Sequence, residues 1–130
     1  MVLLIFWVFT LTSCVSTKNE CPTIPKYPGA QSLGFRQSSS AQRISSYSSK
    51  DNSQQIINYY AKNLRESEWD IKDSTPQKFT ALYTSTKGRP PLLLEIVFRN
   101  VQPSETSFDV YLTISGPYAG FESWCTQVKP

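Results

Sequence analysis

The segment DNSQQIINYYAKNLRES (residues 51–67) decides the fold class, because its apolar side chains recur at helical spacing. Four of them follow the i, i+3, i+4, i+7 pattern of one helix face: Ile57, Tyr60, Ala61 and Leu64. Asp51 and Gln54, three residues apart at the start, fit a capping box. The segment therefore predicts an amphipathic helix whose apolar face packs on a core.

The segments downstream of this helix alternate apolar and polar side chains, which is typical of half-buried strands. They are WDIKD (69–73), KFTALYTST (78–86), LLLEIVFR (92–99) and SFDVYLTIS (107–115). Upstream, Leu33–Arg36 and Arg43–Ser48 predict an edge hairpin with its tip at Ser38–Ser40. One helix among strands with a single apolar face each predicts an α+β fold. A single amphipathic helix would pack on one face of a mainly antiparallel β-sheet of about four to six strands.

The composition limits the classes of protein that fit this chain. With 130 residues there is room for one domain, and hydrophobic residues make up 39% of the chain. The net charge is +3, but the Lys and Arg residues are scattered singly along the sequence. A nucleic-acid-binding protein would cluster them to meet phosphates, so we expect no nucleic-acid partner.

The chain opens with a short apolar run, MVLLIFWVFTLTSC (1–14), that stops at a cysteine. A membrane-spanning helix needs about 20 apolar residues, so the run has the length of a signal-peptide core instead. Its end, Leu11-Thr12-Ser13-Cys14, resembles the lipobox of bacterial lipoproteins. The resemblance implies that residues 1–13 are a lipoprotein signal peptide that is removed. Cys14 would then carry a diacylglycerol, and the new amino terminus an acyl chain such as palmitate.

The same resemblance implies a domain plan and a location. Residues 14–30 would be the lipidated cysteine and a proline-rich tether, and residues 31–130 a single α+β domain. The protein would be anchored to the cell membrane or the outer membrane and face the periplasm or the exterior. An ordinary secretory signal with a chance cysteine, and a buried N-terminal strand, are the alternatives for residues 1–14. The opening Met1-Val2 carries no basic residue, unlike most secretory leaders.

The three cysteines fit the lipoprotein interpretation, because alkylation of Cys14 leaves Cys21 and Cys125 as a pair. Redox or metal chemistry is disfavoured, since the chain has no C-x-x-C spacing and no histidine. A structural disulfide between Cys21 and Cys125 is therefore predicted for an oxidising compartment.

A second resemblance concerns the domain itself. The sequence has YPGA at residues 27–30, YYAKNL in the predicted helix, and Trp69 soon after it. This series is similar to that of uncharacterised small bacterial exported proteins, in which YPGA precedes a helix with FY-x-x-x-L and a Gly-Trp pair opens the sheet. Glu68 stands here where the pattern has glycine. The resemblance spans about 45 residues and implies an exported α+β domain without established chemistry.

No catalytic motif emerges from the sequence. The lack of histidine excludes Ser-His-Asp and Cys-His centres. Glu95 and Asp109 could face each other on the outer sheet surface, but Arg99 beside Glu95 favours ordinary charge pairing. The acidic stretch at the helix end lacks calcium-loop spacing and is interpreted as a solvated turn: Glu66, Glu68, Asp70 and Asp73. No metal site and no cofactor is expected.

The sequence therefore predicts a membrane-anchored lipoprotein that acts as a non-catalytic accessory or binding module of the cell envelope. Its partners would be membrane lipid, through Cys14, and an envelope protein. The contact surface would be the outer sheet face with Tyr111, or an aromatic tail with Tyr118, Phe121 and Trp124, although core packing is the commoner role of such side chains. The alternative is a small secreted enzyme or ligand carrier with a pocket between helix and sheet.

Overall fold

The computed structural model describes residue 22 and residues 24–84 and 89–115 of the chain. In chain order the elements are β1 (Gln31–Ser39), β2 (Gln42–Ser49), α1 (Ser53–Glu66), β3 (Asp70–Ser74), β4 (Lys78–Tyr83), β5 (Leu92–Gln102) and β6 (Glu105–Ile114). The predicted α+β class is confirmed, with one helix packed on a six-stranded antiparallel sheet in the described part of the chain.

The strands lie in the order β1-β2-β6-β5-β4-β3, and all neighbours are antiparallel. β1 and β2 form the predicted hairpin, and β2 pairs with β6 along its whole length. β5 and β6 form a second hairpin with its turn at Pro103 and Ser104. The two edges of the sheet are therefore β1 and β3.

The core lies between the helix and one face of the sheet. Alternate residues of the three strands opposite α1 are buried: Phe79, Ala81 and Tyr83 in β4, Leu92, Leu94, Ile96 and Phe98 in β5, and Phe108, Val110, Leu112 and Ile114 in β6. The helix contributes Ile56, Ile57, Tyr60 and Leu64, while Ala61 is only half-buried. In the described ranges, no helix is both long and apolar enough to cross a membrane.

The helix cap lies one residue later than predicted. Asn52, not Asp51, is the N-cap: its Oδ1 accepts the backbone N–H of Gln55 at 2.9 Å, and the Gln55 side chain accepts the Asn52 N–H at 3.0 Å. The pairs Asp51 with Gln54 and Asn52 with Gln55 both fit the capping-box spacing, but the Asp51 carboxylate already accepts a hydrogen bond from the hydroxyl of Tyr27. The contact with Tyr27 thus decides which of two residues with equivalent local sequence becomes the N-cap.

The helix ends in a Schellman motif around Glu68. The N–H of Trp69 donates to the carbonyl of Leu64 at 2.9 Å, and the N–H of Glu68 to that of Arg65 at 3.2 Å. Glu68 has φ 66°, in the left-handed region that favours glycine. Trp69 and Leu64 are both buried, which provides the apolar contact of the motif.

Several predicted features lie outside the described residues. These are the signal peptide and Cys14, the proposed disulfide of Cys21 and Cys125, and the tail aromatics Tyr118, Phe121 and Trp124. The described part of the predicted tether includes Tyr27, which is buried in the core.

Candidate functional site

A cleft opens at the end of the sheet, beside the start of α1. Its volume is about 560 Å³, within the range of about 300–1,000 Å³ typical of small-ligand sites. It is lined by the turn before β1, the end of β2, the start of α1 and the β5–β6 turn: Pro28, Gly29, Gln31, Ser48, Ser49, Lys50, Asp51, Ser104 and Glu105.

One wall of this cleft is the YPGA turn. The N–H of Ala30 donates to the carbonyl of Tyr27 at 3.2 Å, which closes a four-residue turn. Pro28 occupies the second position, where its fixed φ fits, and Gly29 has φ 75° at the third. Positive φ at the third position defines a type II turn, and glycine adopts it without strain. The motif that marks the family resemblance thus shapes the wall of the candidate site.

Tyr27 fastens this turn to the helix start. Its hydroxyl donates to Asp51 Oδ2 at 2.6 Å, and its ring packs against Tyr59, Tyr60 and Phe108 with centroids 5.2, 6.5 and 6.4 Å away. Burial, followed by the hydrogen bond and the charge of Asp51, raises the pKa of Tyr27 to about 12. The hydroxyl is therefore protonated at neutral pH and acts as a fixed donor.

The cleft is lined by polar side chains. Ser48 and Ser49 are buried, and the Ser49 hydroxyl accepts the backbone N–H of Asp51 at 3.1 Å. Asp51 is thus held by Tyr27 and by its own backbone, while Lys50 is exposed. In the described part of the chain, no group of three or more acidic, Cys or His residues could hold a metal ion. What the cleft offers is hydroxyl, carboxylate and ammonium groups for hydrogen bonds to a polar ligand.

The carboxylates on the outer sheet face pair differently from the prediction. Arg99 does not pair with Glu95: its Nε lies 2.8 Å from Asp109 Oδ2, and Ser46 donates to Asp109 Oδ1 at 2.6 Å. The strand register explains the difference, since Val97 rather than Glu95 lies opposite Asp109. Asp109 is only 3% exposed, so this ion pair neutralises a buried charge.

Glu95 has its own partner on the neighbouring strand. Its Oε2 lies 2.5 Å from Lys78 Nζ, and this hydrogen bond, then the charge of Glu95, raises the pKa of Lys78. Each of the two carboxylates considered as an acid/base pair is therefore held by a different cation. Ordinary charge pairing is therefore supported for both carboxylates, but Arg99 pairs with Asp109 and Glu95 pairs with Lys78.

The remaining predicted surfaces divide between packed and exposed regions. The interface between helix and sheet is filled by side chains such as Ile56, Leu64 and Leu94, each 0% exposed, so the cleft lies at the end of the sheet instead. Tyr111 is on the outer face, half-buried opposite Glu95 and Ile44. The acidic residues at the helix end are exposed as predicted, but only Glu68 lies in a turn, because Glu66 ends α1 and Asp70 and Asp73 belong to β3.

A second, more open cavity of about 490 Å³ lies along the β1–β2 hairpin. It is lined by side chains of both strands: Ser32, Gly34, Phe35, Gln37, Arg43, Ser45 and Tyr47. Phe35, which lines this cavity, is 59% exposed, and Leu33 on the same strand is 52% exposed.

No protein-family model matches the chain, and no curated protein and no solved structure is significantly similar to it.

Two features were not predicted from the sequence: the contact between Tyr27 and Asp51, and the exposed apolar pair Leu33 and Phe35 on β1. A signal for the first was present, because YPGA ends close to the predicted β1 and Asp51 directly precedes the helix. For the second, Leu33 and Phe35 lie on one strand of the predicted edge hairpin, but nothing local says which of the two strands of that hairpin is outermost. That information comes from the strand order alone.

Proposed function

We propose that this chain is a lipid-anchored, non-catalytic binding module of the bacterial cell envelope. The observation that carries the anchor is Leu11-Thr12-Ser13-Cys14 at the end of an apolar run too short to span a membrane. At about 0.8 kcal/mol per buried methylene, two or three acyl chains hold a small domain firmly at a bilayer. The module would be displayed from the cell membrane or the outer membrane.

The binding role is supported by the cleft at the YPGA turn. It combines ligand-sized volume with several polar groups that point to hydrogen bonding: Ser48, Ser49, Lys50, Asp51 and Glu105. Asp51 is committed to Tyr27 and the side-chain hydroxyls have no histidine to activate them, which favours recognition over catalysis. The second candidate function is that of a small-ligand carrier. The volume of the same cleft favours it, and the pocket then lies at the end of the sheet.

The anchor is tested by the intact mass of the protein purified from membranes of a bacterial expression host. We expect cleavage before Cys14 and the added mass of a diacylglycerol and an acyl chain. The matched control is Cys14→Ser, which keeps the size and polarity of the residue and should leave an uncleaved, unacylated chain. A wild-type protein that retains residues 1–13 and carries no lipid would refute the proposal.

The pairing of Cys21 with Cys125 is tested on the same material by thiol alkylation before and after reduction. We expect no alkylation without reductant and two alkyl groups after reduction. Immediate alkylation of both thiols would refute the disulfide.

Binding in the cleft is tested by thermal-shift screening of polar small molecules, including sugars and amino acids, against the purified protein. Ser48→Ala and Lys50→Gln change groups of the cleft wall, whereas Lys62→Gln on the exposed side of α1 is the control. A ligand that stabilises the wild type and the control but not the cleft variants supports the carrier version. Equal stabilisation of all variants would place binding elsewhere.

A further inference from the structure

The two edges of the sheet differ in their protection against pairing with another strand. β3 has five residues, and Asp70, Lys72 and Asp73 place charge along it. β1 has nine residues, all of them exposed, and Arg36 is its one charged side chain. Natural sheets block their edges with charges, proline and short strands. β3 is short and charged, whereas β1 is long, has a single charged side chain and carries the exposed Leu33 and Phe35.

The central part of β1 has regular geometry for strand addition. Register shifts relative to β2 lie between Ser32 and Gly34 and between Gln37 and Ser39. Gly34 has φ 139° and belongs to the first of these irregularities, but Phe35–Gln37 pairs regularly with β2, so its free side presents backbone N–H and C=O groups in strand geometry. Among the described residues no strand pairs with that side. The cavity of about 490 Å³ beside Phe35 offers space for a side chain of an added strand.

The charge of the hairpin identifies the kind of strand that fits. Residues 31–49 contain Arg36 and Arg43 and no carboxylate. Arg36 lies opposite Ile44, and Arg43 lies opposite Gln37, so the two arginines occupy adjacent pairs and opposite faces of the sheet. Arg36 is exposed on β1 itself, so an added strand meets its positive charge directly. Acidic side chains on such a strand complement this charge, and an apolar side chain complements Phe35.

The same charges disfavour a second copy of the chain. An antiparallel pairing of two β1 strands centred on Phe35 places Arg36 of each copy opposite Gly34 of the other. The two Arg36 side chains then lie on the same face as diagonal neighbours, where like charges repel. Charge complementarity thus favours a different, acidic partner.

We propose that the free edge of β1 is a docking site for an extended acidic segment of a partner protein, which adds as a further strand and places an apolar side chain beside Phe35. This proposal rests on the binding role proposed above but not on the lipid anchor. Its test uses purified protein in detergent, so a failed anchor and a failed docking site give separate results.

The probe is fluorescein-labelled Glu-Val-Glu-Phe-Glu-Val-Glu, and its binding to the full-length chain is measured by fluorescence anisotropy at low and high salt. Two matched peptides separate the contributions. One has Gln in place of each Glu, and the other is methylated on alternate backbone nitrogens, which keeps every side chain but removes strand hydrogen bonds. We expect saturable binding of the first peptide, on the order of tenfold weaker binding of the Gln peptide at low salt, and loss of binding for the methylated one.

Variants of exposed residues locate the site without disturbing the fold. Arg36→Glu should weaken the acidic peptide on the order of tenfold, and Phe35→Ser about fivefold. Arg65→Glu makes the same charge change on the exposed part of α1 and should leave the affinity unchanged. Circular dichroism and the melting temperature of each variant verify that it is folded.

Four results would overturn the proposal. They are no binding of the acidic peptide, equal binding of the Gln or the methylated peptide, equal losses in Arg36→Glu and Arg65→Glu, and binding insensitive to Phe35→Ser. The other possible occupant of the edge is a second copy of the chain, and sedimentation velocity tests for it. If the chain binds no peptide but forms a dimer, and Phe35→Ser dissociates that dimer, the edge is assigned to a second copy instead.

Discussion

Replacing Glu68 by glycine should stabilise the protein, because this residue closes the Schellman motif of α1 with φ 66°. An L-residue in the left-handed region costs roughly 1–2 kcal/mol relative to the right-handed helix region. Glycine adopts the conformation freely but loses about 0.5–1 kcal/mol more chain entropy on folding. The net gain in the free energy of unfolding is therefore about 0.5–1 kcal/mol, which corresponds to a rise in melting temperature of roughly 3–6 °C for a domain of this size.

Urea unfolding followed by circular dichroism measures this change, and the m-value verifies that the two-state comparison is valid. Glu68→Ala is the matched control. It removes the carboxylate from the negative end of the helix dipole but keeps the Cβ atom, so it should gain only a few tenths of a kcal/mol. If alanine stabilises as much as glycine, charge and not backbone strain is the cause. If glycine destabilises, the account of the helix end is wrong.

Three further substitutions test buried polar contacts by the same unfolding measurement. Tyr27→Phe should cost about 1 kcal/mol through loss of the hydrogen bond to Asp51. The pKa of Tyr27 is raised to about 12 from 10.0, so the wild type should have the larger free energy of unfolding below pH 10 and lose this difference between pH 10 and 12. A difference in stability that persists at pH 12 would contradict the hydrogen bond as its cause. Thr106→Val should be neutral or stabilise by about 1 kcal/mol, because the buried Oγ1 has no hydrogen-bond partner in the described structure; a loss of stability would reveal one. Arg99→Met should cost about 2 kcal/mol by leaving Asp109 buried without its cation, whereas Arg99→Lys should cost less; equal losses would show that charge is not what matters.

Periodicity was sufficient to predict the helix and the strands. The alternation of Leu92, Leu94 and Ile96 identifies a half-buried strand in any context, and the same holds for Phe108 and Val110. Such patterns are local consequences of one buried face. The fold class follows from them because a helix with one apolar face and strands with one apolar face can only bury those faces against each other.

Features that depend on strand register and strand order could not be predicted from the sequence. Arg99 is paired with Asp109 because Val97 takes the position opposite that carboxylate, and a shift of one residue would have changed the partner. The capping frame was decided by a contact between Asp51 and Tyr27, which is 24 residues away in the chain. The cleft at the YPGA turn joins three separate segments of the chain, so it likewise exists only after the chain has folded.

The place of β6 inside the sheet determines when the chain becomes compact. β2 and β5 are joined only through β6, and residues 42–49 find their partners in residues 106–113. Contacts between segments so distant in sequence form late, since a long loop must close before the strands gain from pairing. During synthesis the first hairpin and the unit from α1 to β5 have no common sheet until residues 105–114 have been made. The two parts of the sheet can therefore share one core only after β6 has been made.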